Sequence, residues 1–238
     1  MKLIADNWLS TLFQYDVYRL EISRSPAINA GDLALSLEPT LTRGRVFIYL
    51  KTDVRQVALM QALADNAFRL VDTNIVFTRS LQVPAEQEPE NRIRPARPAD
   101  KAAVERLAEN CLVHTRFHLD PQIPNELAGR VKRNWAGNFF SGQRGDTLLV
   151  AEMDGTPTGF LLLLHRDQTI VVDLIAVDPK RRRMHIGRDL IHFARQYYGQ
   201  CRTIQAGTQL ANGSSLEFYQ NLGFRLQTAQ HVFHLHRG

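Results

Sequence analysis

The chain has 238 residues, 44% of them hydrophobic and 22% charged, with a formal net charge of +5 and a pI near 9.5. That is the profile of a globular protein long enough for one large or two modest domains. No run approaches the roughly 18 apolar residues of a membrane span, and the first ten residues lack a signal-peptide profile. Two cysteines, Cys111 and Cys201, are too few for a disulfide framework or a zinc cage. A cytoplasmic protein with reduced thiols is therefore expected. The cations are scattered except for one run at Lys180, with no basic stripe interleaved with aromatics, so a polyphosphorylated small ligand explains the charge better than nucleic acid.

Taken in order, an apolar opening from Trp8 to Tyr15 leads to an expected strand at 17–22, a short helix near 32–37, a strand at 46–51, a helix near 54–65 and a strand at 71–78. The polar, acidic, proline-bearing stretch at 84–91 reads as a linker, dividing an N-terminal unit (1–83) from a second domain (92–238). That domain reads as helices at 100–111 and 127–139, then strands at 147–153 and 159–165 joined through Asp154-Gly155. A third strand follows at 169–177, then a helix at 186–198, a strand at 202–208, a helix at 213–221 and strands to the end. This order predicts an α/β or α+β fold on a mixed sheet. The two ends also resemble each other. Aligning Phe68 with Phe224, an offset of 156 residues, pairs Phe68-Arg69-Leu70 with Phe224-Arg225-Leu226 and Val76-Phe77 with Val232-Phe233. The N-terminal unit thus looks like a structural half-copy of the C-terminal end. Leu63 stands opposite Tyr219, and nothing in it answers the loop around Arg182.

The stretch Val171 to Arg195 carries the chemistry. An apolar strand stops at Asp178-Pro179, four cations follow at Lys180, Arg181, Arg182 and Arg183, and an amphipathic helix starts at Ile186 with Gly187 in its first turn. A helix start offers unpaired N–H groups and the positive end of its dipole, so added cations and a nearby glycine suit a phosphate. Farther on, Asn212 has the chemistry of an N-cap, Tyr219 lies two helical turns later, and Leu222-Gly223-Phe224 ends the helix.

These residues resemble the GNAT superfamily of N-acetyltransferases. Its acetyl-CoA motif, Gln/Arg-x-x-Gly-x-Gly/Ala, reads here Arg182-Arg183-Met184-His185-Ile186-Gly187. His185 departs from it, standing where the first glycine is usual; a positive φ there would disfavour a non-glycine residue, although histidine tolerates it better than most. The resemblance implies a GNAT fold over about 92–238, preceded by the partial GNAT-like half-domain, with acetyl-CoA as co-substrate. Contacts to it would come from Leu174, Ile175, Ala176 and Val177 on the strand, from Arg182, Arg183, Met184, His185, Ile186, Gly187 and Arg188 at the loop, and from Asn212, Ser215 and Tyr219. Tyr219 would protonate the leaving thiolate, and a strand N–H would polarise the carbonyl. For the base that deprotonates the amine, the sequence offers Asp173, Glu152, His114, His118 and Glu217, or a water relay; Asp173 is carried as the candidate.

The segment Val113 to Pro121, together with Trp8, Phe13, Val17 and Arg19-Leu20, resembles the dTDP-fucosamine acetyltransferases within that superfamily. The acceptor implied is a nucleotide-linked 4-amino-4,6-dideoxyhexose, with Arg116, Phe117 and His118 as substrate-binding candidates. Another small amine or a peptide amine is the alternative within the enzyme class, and a non-catalytic acetyl-CoA-binding module the alternative outside it. His231, His234 and His236 have no carboxylate or cysteine partner in spacing, so no metal site is expected. A homodimer is expected from family habit and from the half-polar last strand, taken as an edge in need of cover.

Overall fold

Side-chain caps fix where several helices start. The Asp6 carboxylate accepts from Leu9 N, the Asn29 side chain from Asp32 N, and the Asn212 side chain from Ser215 N, each satisfying a donor that the first helical turn leaves free. The computed structural model describes residues 1–22, 29–42, 44–82 and 89–238. In chain order its elements are β1 (Lys2–Ala5), α1 (Asn7–Phe13), β2 (Asp16–Glu21), α2 (Ala30–Leu41), β3 (Val46–Asp53), α3 (Val57–Asp65), β4 (Arg69–Ser80), β5 (Arg92–Pro95), α4 (Lys101–Cys111), α5 (Asn125–Gly137), β6 (Thr147–Met153), β7 (Thr156–Arg166), β8 (Thr169–Val177), α6 (Ile186–Tyr197), β9 (Thr203–Gln209), α7 (Gly213–Asn221) and β10 (Arg225–Arg237). Most follow the periodicity of the sequence. The short elements β1, α1 and β5 were not legible in it, and the expected strands at the end are one long strand, β10. At the turn between β6 and β7, Asp154 and Gly155 both take positive φ, as a tight hairpin requires.

All ten strands join one mixed sheet in the order β1-β2-β3-β10-β4-β9-β8-β7-β6-β5. The pairs β2/β3 and β8/β9 are parallel. The offset of 156 residues seen in the sequence also carries α2 onto α6, α3 onto α7 and β4 onto β10. The corresponding last strands are exchanged. β4 lies between β10 and β9, and β10 lies between β3 and β4, so each half of the chain completes the sheet of the other. The last strand is therefore no edge: its ladder groups are taken on both sides, and the edges are β1 and β5. Residues 83–88, most of the expected linker, lie outside the described residues, as do 23–28, where the half-copy was expected to lack the Arg182 loop.

The apolar clusters divide by sheet face. Helices α6 and α7 cover Leu161, Leu163, Ile170, Val172, Ile204 and Ala206; α4 and α5 cover Leu148, Val150, Phe160, Leu162, Leu174 and Ala176. Val172 and Leu174 are two apart on β8 yet face opposite sides. The reason is a bulge: Leu163 pairs with Val172 and Leu162 with Leu174, leaving Asp173 as the extra residue. A third cluster packs α2 and α3 on β3 and β10. The fourth joins Leu9 and Phe13 of α1 to Phe47, Phe117 and Val131, so the opposite face of the N-terminal half is roofed by α5 and the segment before it.

Candidate active site

The parallel ladder between β8 and β9 stops at Val172 and Ala206. Beyond it, among the described residues, β8 pairs with β7 alone, out to Gly159 and Val177, while β9 keeps the pairing with β4 that it has from Thr203 on, through to Gln209 and Asn74. The two strands part and leave a wedge whose β8 side is Asp173 to Val177. At its mouth lie the start of α6 and the start of α7. Arg182, Arg183, Met184 and His185 are exposed there, whereas Ile186 is buried in the core under α6 and Gly187 is half-buried. His185 caps α6 in the left-handed region at φ 57, and Arg183 takes φ 65. The departure from glycine is thus accommodated by a histidine that adopts the same sign of φ. A Cβ on Gly187 would lie 3.0 Å from Cε2 of Phe218, which ties this glycine to the approach of α7.

On α7, the Asn212 side chain caps the helix through Ser215 N (3.2 Å) and accepts from Ser214 Oγ (3.0 Å). Tyr219 is 2% exposed, held by Phe77, Phe218 and Phe224 with ring centroids 5.1 to 5.8 Å away. Burial alone pushes its phenol well above the ordinary value, so the group stays protonated at neutral pH.

A cleft of about 530 Å³ opens on the other face, between the two halves of the chain, lined by Asp6, Trp8, Leu9, Arg19, Tyr49, Arg116, Trp135, Asn138, Gln143 and Arg144. The Arg116 guanidinium lies 3.9 Å from the centre of the Tyr49 ring and 4.3 Å from that of Phe117. Lys132 Nζ and Arg144 Cζ approach the Trp135 ring to 4.3 and 4.2 Å. Burial, then the neighbouring Arg116, Arg144 and Lys51 charges, push Lys132 down to about 7. Several cations crowd one cleft, and the nearby carboxylate of Asp173 is already engaged. Arg144 donates to both its oxygens, through Nε (2.6 Å) and Nη2 (2.5 Å), and Trp135 Nε1 donates to Oδ2 (2.8 Å). That corrects the expectation for Asp173: it pins Arg144 and Trp135 to the β8 bulge and is not a free base.

Other expectations also shift. Phe117 is 1% exposed and belongs to the core beneath Arg116, where its ring supports the cation. His118 bonds Thr115 Oγ1 through Nδ1 (2.8 Å) and lines a different groove, with Glu109, Asn125 and Glu126 between α4 and α5. Among the remaining base candidates, Glu152 is bound by Arg94 and Arg92, and His114 and Glu217 are exposed. The histidines of β10 do find a carboxylate. Asp120 Oδ2 takes His234 Nδ1 (2.6 Å) and His236 Nε2 (2.8 Å), while Arg116 Nη1 lies 3.3 Å from His234 Nε2. An arginine can only donate, so His234 accepts at Nε2, carries its proton on Nδ1 and passes the chain on to Asp120. The result is a buried hydrogen-bond node that ties the Arg116 segment to the last strand. Spacing alone missed it because Asp120 lies more than a hundred residues away. Tyr49, Lys132, Trp135 and Arg144 were missed for the same reason: each looks like an ordinary strand, helix or loop residue until the halves meet.

The mixed sheet thus carries a wedge between two parallel strands, with a basic loop and a helix start at its mouth. The chain belongs to the GNAT family of acetyltransferases, matching the Acetyltransferase (GNAT) family over residues 105–224. That family uses acetyl-CoA. It is 30% identical over 148 residues to the spore coat polysaccharide biosynthesis protein SpsD of Bacillus subtilis (strain 168), a match covering 60% of this chain and 50% of that protein. The chain thus spans about half the length of that curated relative. Among solved structures it resembles a GCN5-related N-acetyltransferase from Sphaerobacter thermophilus (TM-score 0.63, 13% identity, 93% of this chain and 72% of that one). It also resembles a tandem GNAT protein from the clavulanic acid biosynthesis pathway (TM-score 0.58, 12% identity, 93% and 75%). At these identities the structural likeness concerns the fold. No helix among the described residues is long and apolar enough to cross a membrane.

Proposed function

We propose that the protein transfers acetyl from acetyl-CoA to the amino group of a nucleotide-linked amino-deoxysugar, of the dTDP-4-amino-4,6-dideoxyhexose type. The observation that carries this is the inter-half cleft, where Arg19, Arg116 and Arg144 stand beside Trp8, Tyr49 and Trp135. Arginine forks suit diphosphate oxygens and aromatic faces suit a base. A peptide amine would favour an acidic groove instead. The likeness to a protein of spore coat polysaccharide biosynthesis points the same way.

The residues fit acetyl-CoA. Among the described residues the β8 edge past Asp173 has no second ladder partner, and the exposed Arg182 and Arg183 flank the start of α6. When bound, acetyl-CoA supplies the activated acyl group. In this reading an N–H of the Leu174 to Val177 stretch, past the end of the ladder with β9, polarises the carbonyl. Asn212 and Ser215 present polar groups at the wedge mouth, and Tyr219 holds a proton on its phenol oxygen for the departing sulfur. In this reading the enzyme's largest contribution is to hold donor and amine in reach of each other. Amine deprotonation falls to a water relay through the cleft, since the carboxylates named from sequence are engaged or elsewhere. A cytoplasmic setting and a homodimer belong to the same reading, with β1 and β5 as the sheet edges open to a second copy.

In this reading dTDP alone inhibits competitively against the acceptor and not against acetyl-CoA. Arg116→Ala weakens that inhibition by about tenfold or more, the loss of a charge-assisted contact. Inhibition that ignores Arg116, or that competes with acetyl-CoA, would remove the nucleotide from the cleft.

A further inference from the structure

We propose that Asn91, at the end of the connection between the two halves, is a positioning residue for the phosphate-binding loop, holding Met184 in place between two left-handed residues. Its side-chain Nδ2 donates to the Met184 carbonyl (2.9 Å) and to Asp189 Oδ2 (2.7 Å). The backbone N–H groups of Glu90 and Asn91 donate to the same Asp189 oxygen, each at 2.9 Å. Asp189 sits in the first turn of α6 and is fully buried. Its other oxygen takes Arg188 Nε (2.9 Å), and Arg188 Nη2 reaches back to Glu90 (2.8 Å). Burial would raise the Asp189 carboxyl, but the Asn91 and Arg188 donors more than offset this and hold it below its usual value. The anchor is thus an ionised carboxylate with every partner on the connection or on α6 itself.

What the latch holds is a strained loop. Arg183 and His185 both take positive φ, on either side of Met184. Neither is glycine, so each would relax to negative φ if released. Relaxation would turn away the N–H groups at the start of α6, the feature that makes this loop a phosphate seat. A glycine holds such a shape without help; a histidine needs the shape imposed from outside. Asn91 supplies that constraint at the carbonyl lying between the two strained residues. The segment read from sequence as a linker is therefore, at its last residues, part of the cofactor loop.

The inference rests on the reading that this loop takes the coenzyme A pyrophosphate, and the test separates the two. Coenzyme A binding is measured by calorimetry on the full chain. Arg182→Ala should weaken it, and no change there would remove the loop reading itself. Asn91→Ala should raise the coenzyme A Kd by about tenfold, the weight of one strained residue, with the acceptor KM unmoved. His185→Gly should restore most of that loss in the Asn91→Ala/His185→Gly double variant, because glycine takes positive φ unaided. Should Asn91→Ala not fold, Asn91→Ser keeps the backbone N–H to Asp189 while falling short of Met184, and gives the same readout. A Kd within twofold of the parent, or a loss of equal size with and without His185→Gly, would overturn the proposal.

Discussion

Replacing Tyr219 by phenylalanine is expected to slow thiol release by about two orders of magnitude, the usual contribution of a positioned proton donor. Coenzyme A binding and thermal stability should stay near those of the parent. The ring is gripped by Phe77, Phe218 and Phe224, so removing only the hydroxyl leaves the aromatic packing in place. The hydroxyl is what the proposed chemistry uses, and burial keeps it in the acid form. Stopped release with intact coenzyme A binding assigns the proton to Tyr219. Equal loss of fold and activity would mean that Tyr219 is a core residue and nothing more.

The second large effect is expected at Asp120. Asp120→Ala removes the acceptor shared by His234 and His236 and leaves one buried and one half-buried donor unpaired, a change worth about 3 kcal/mol. For a chain of this length that lowers Tm by roughly 6 to 12 °C. The same node sets a pH dependence. Burial, together with the Arg116 charge, pushes His234 down to about 4 despite the help of Asp120. The unfolded chain takes up that proton first, at the ordinary value near 6.5. The stabilisation is therefore complete above about pH 6.5 and is lost as pH falls toward 4, at up to about 1.4 kcal/mol per pH unit. The groups facing His234 are Asp120, Arg116 and His236. His234→Gln should flatten that slope in a series of thermal melts from pH 7 to 4.5. A slope unchanged by the substitution would place the titrating group elsewhere.

The sequence made local features legible and hid those formed at long range. The strand-to-helix turn at Asp178 to Gly187 and the Asn212 cap depend on neighbours a few residues away, and both stand where the spacing put them. The offset aligning Phe68 with Phe224 found the repeated half, because β-strand and helix lengths are written locally. It could not show that β4 and β10 change places, since two similar strands satisfy either sheet equally well by pattern. The bulge at Asp173 was also hidden, because an extra residue in a ladder shows only against its partner strand. That is why Asp173 was read as a free carboxylate when Arg144 and Trp135 hold it. The cleft suffered most. Its cations come from β2, the segment before α5, α5 itself and the loop after it, and nothing in the order of residues brings Arg116 to Tyr49 or Asp120 to His234.

Thiol release from acetyl-CoA by the purified protein, with dTDP-4-amino-4,6-dideoxygalactose set beside a panel of simple amines and peptides, tests the central claim most directly. The account predicts saturable release with the sugar nucleotide and only background release with the rest. Saturable release with simple amines or peptides, and none with the sugar nucleotide, would contradict it: the acetyltransferase would stand and the cleft would lose its assigned substrate.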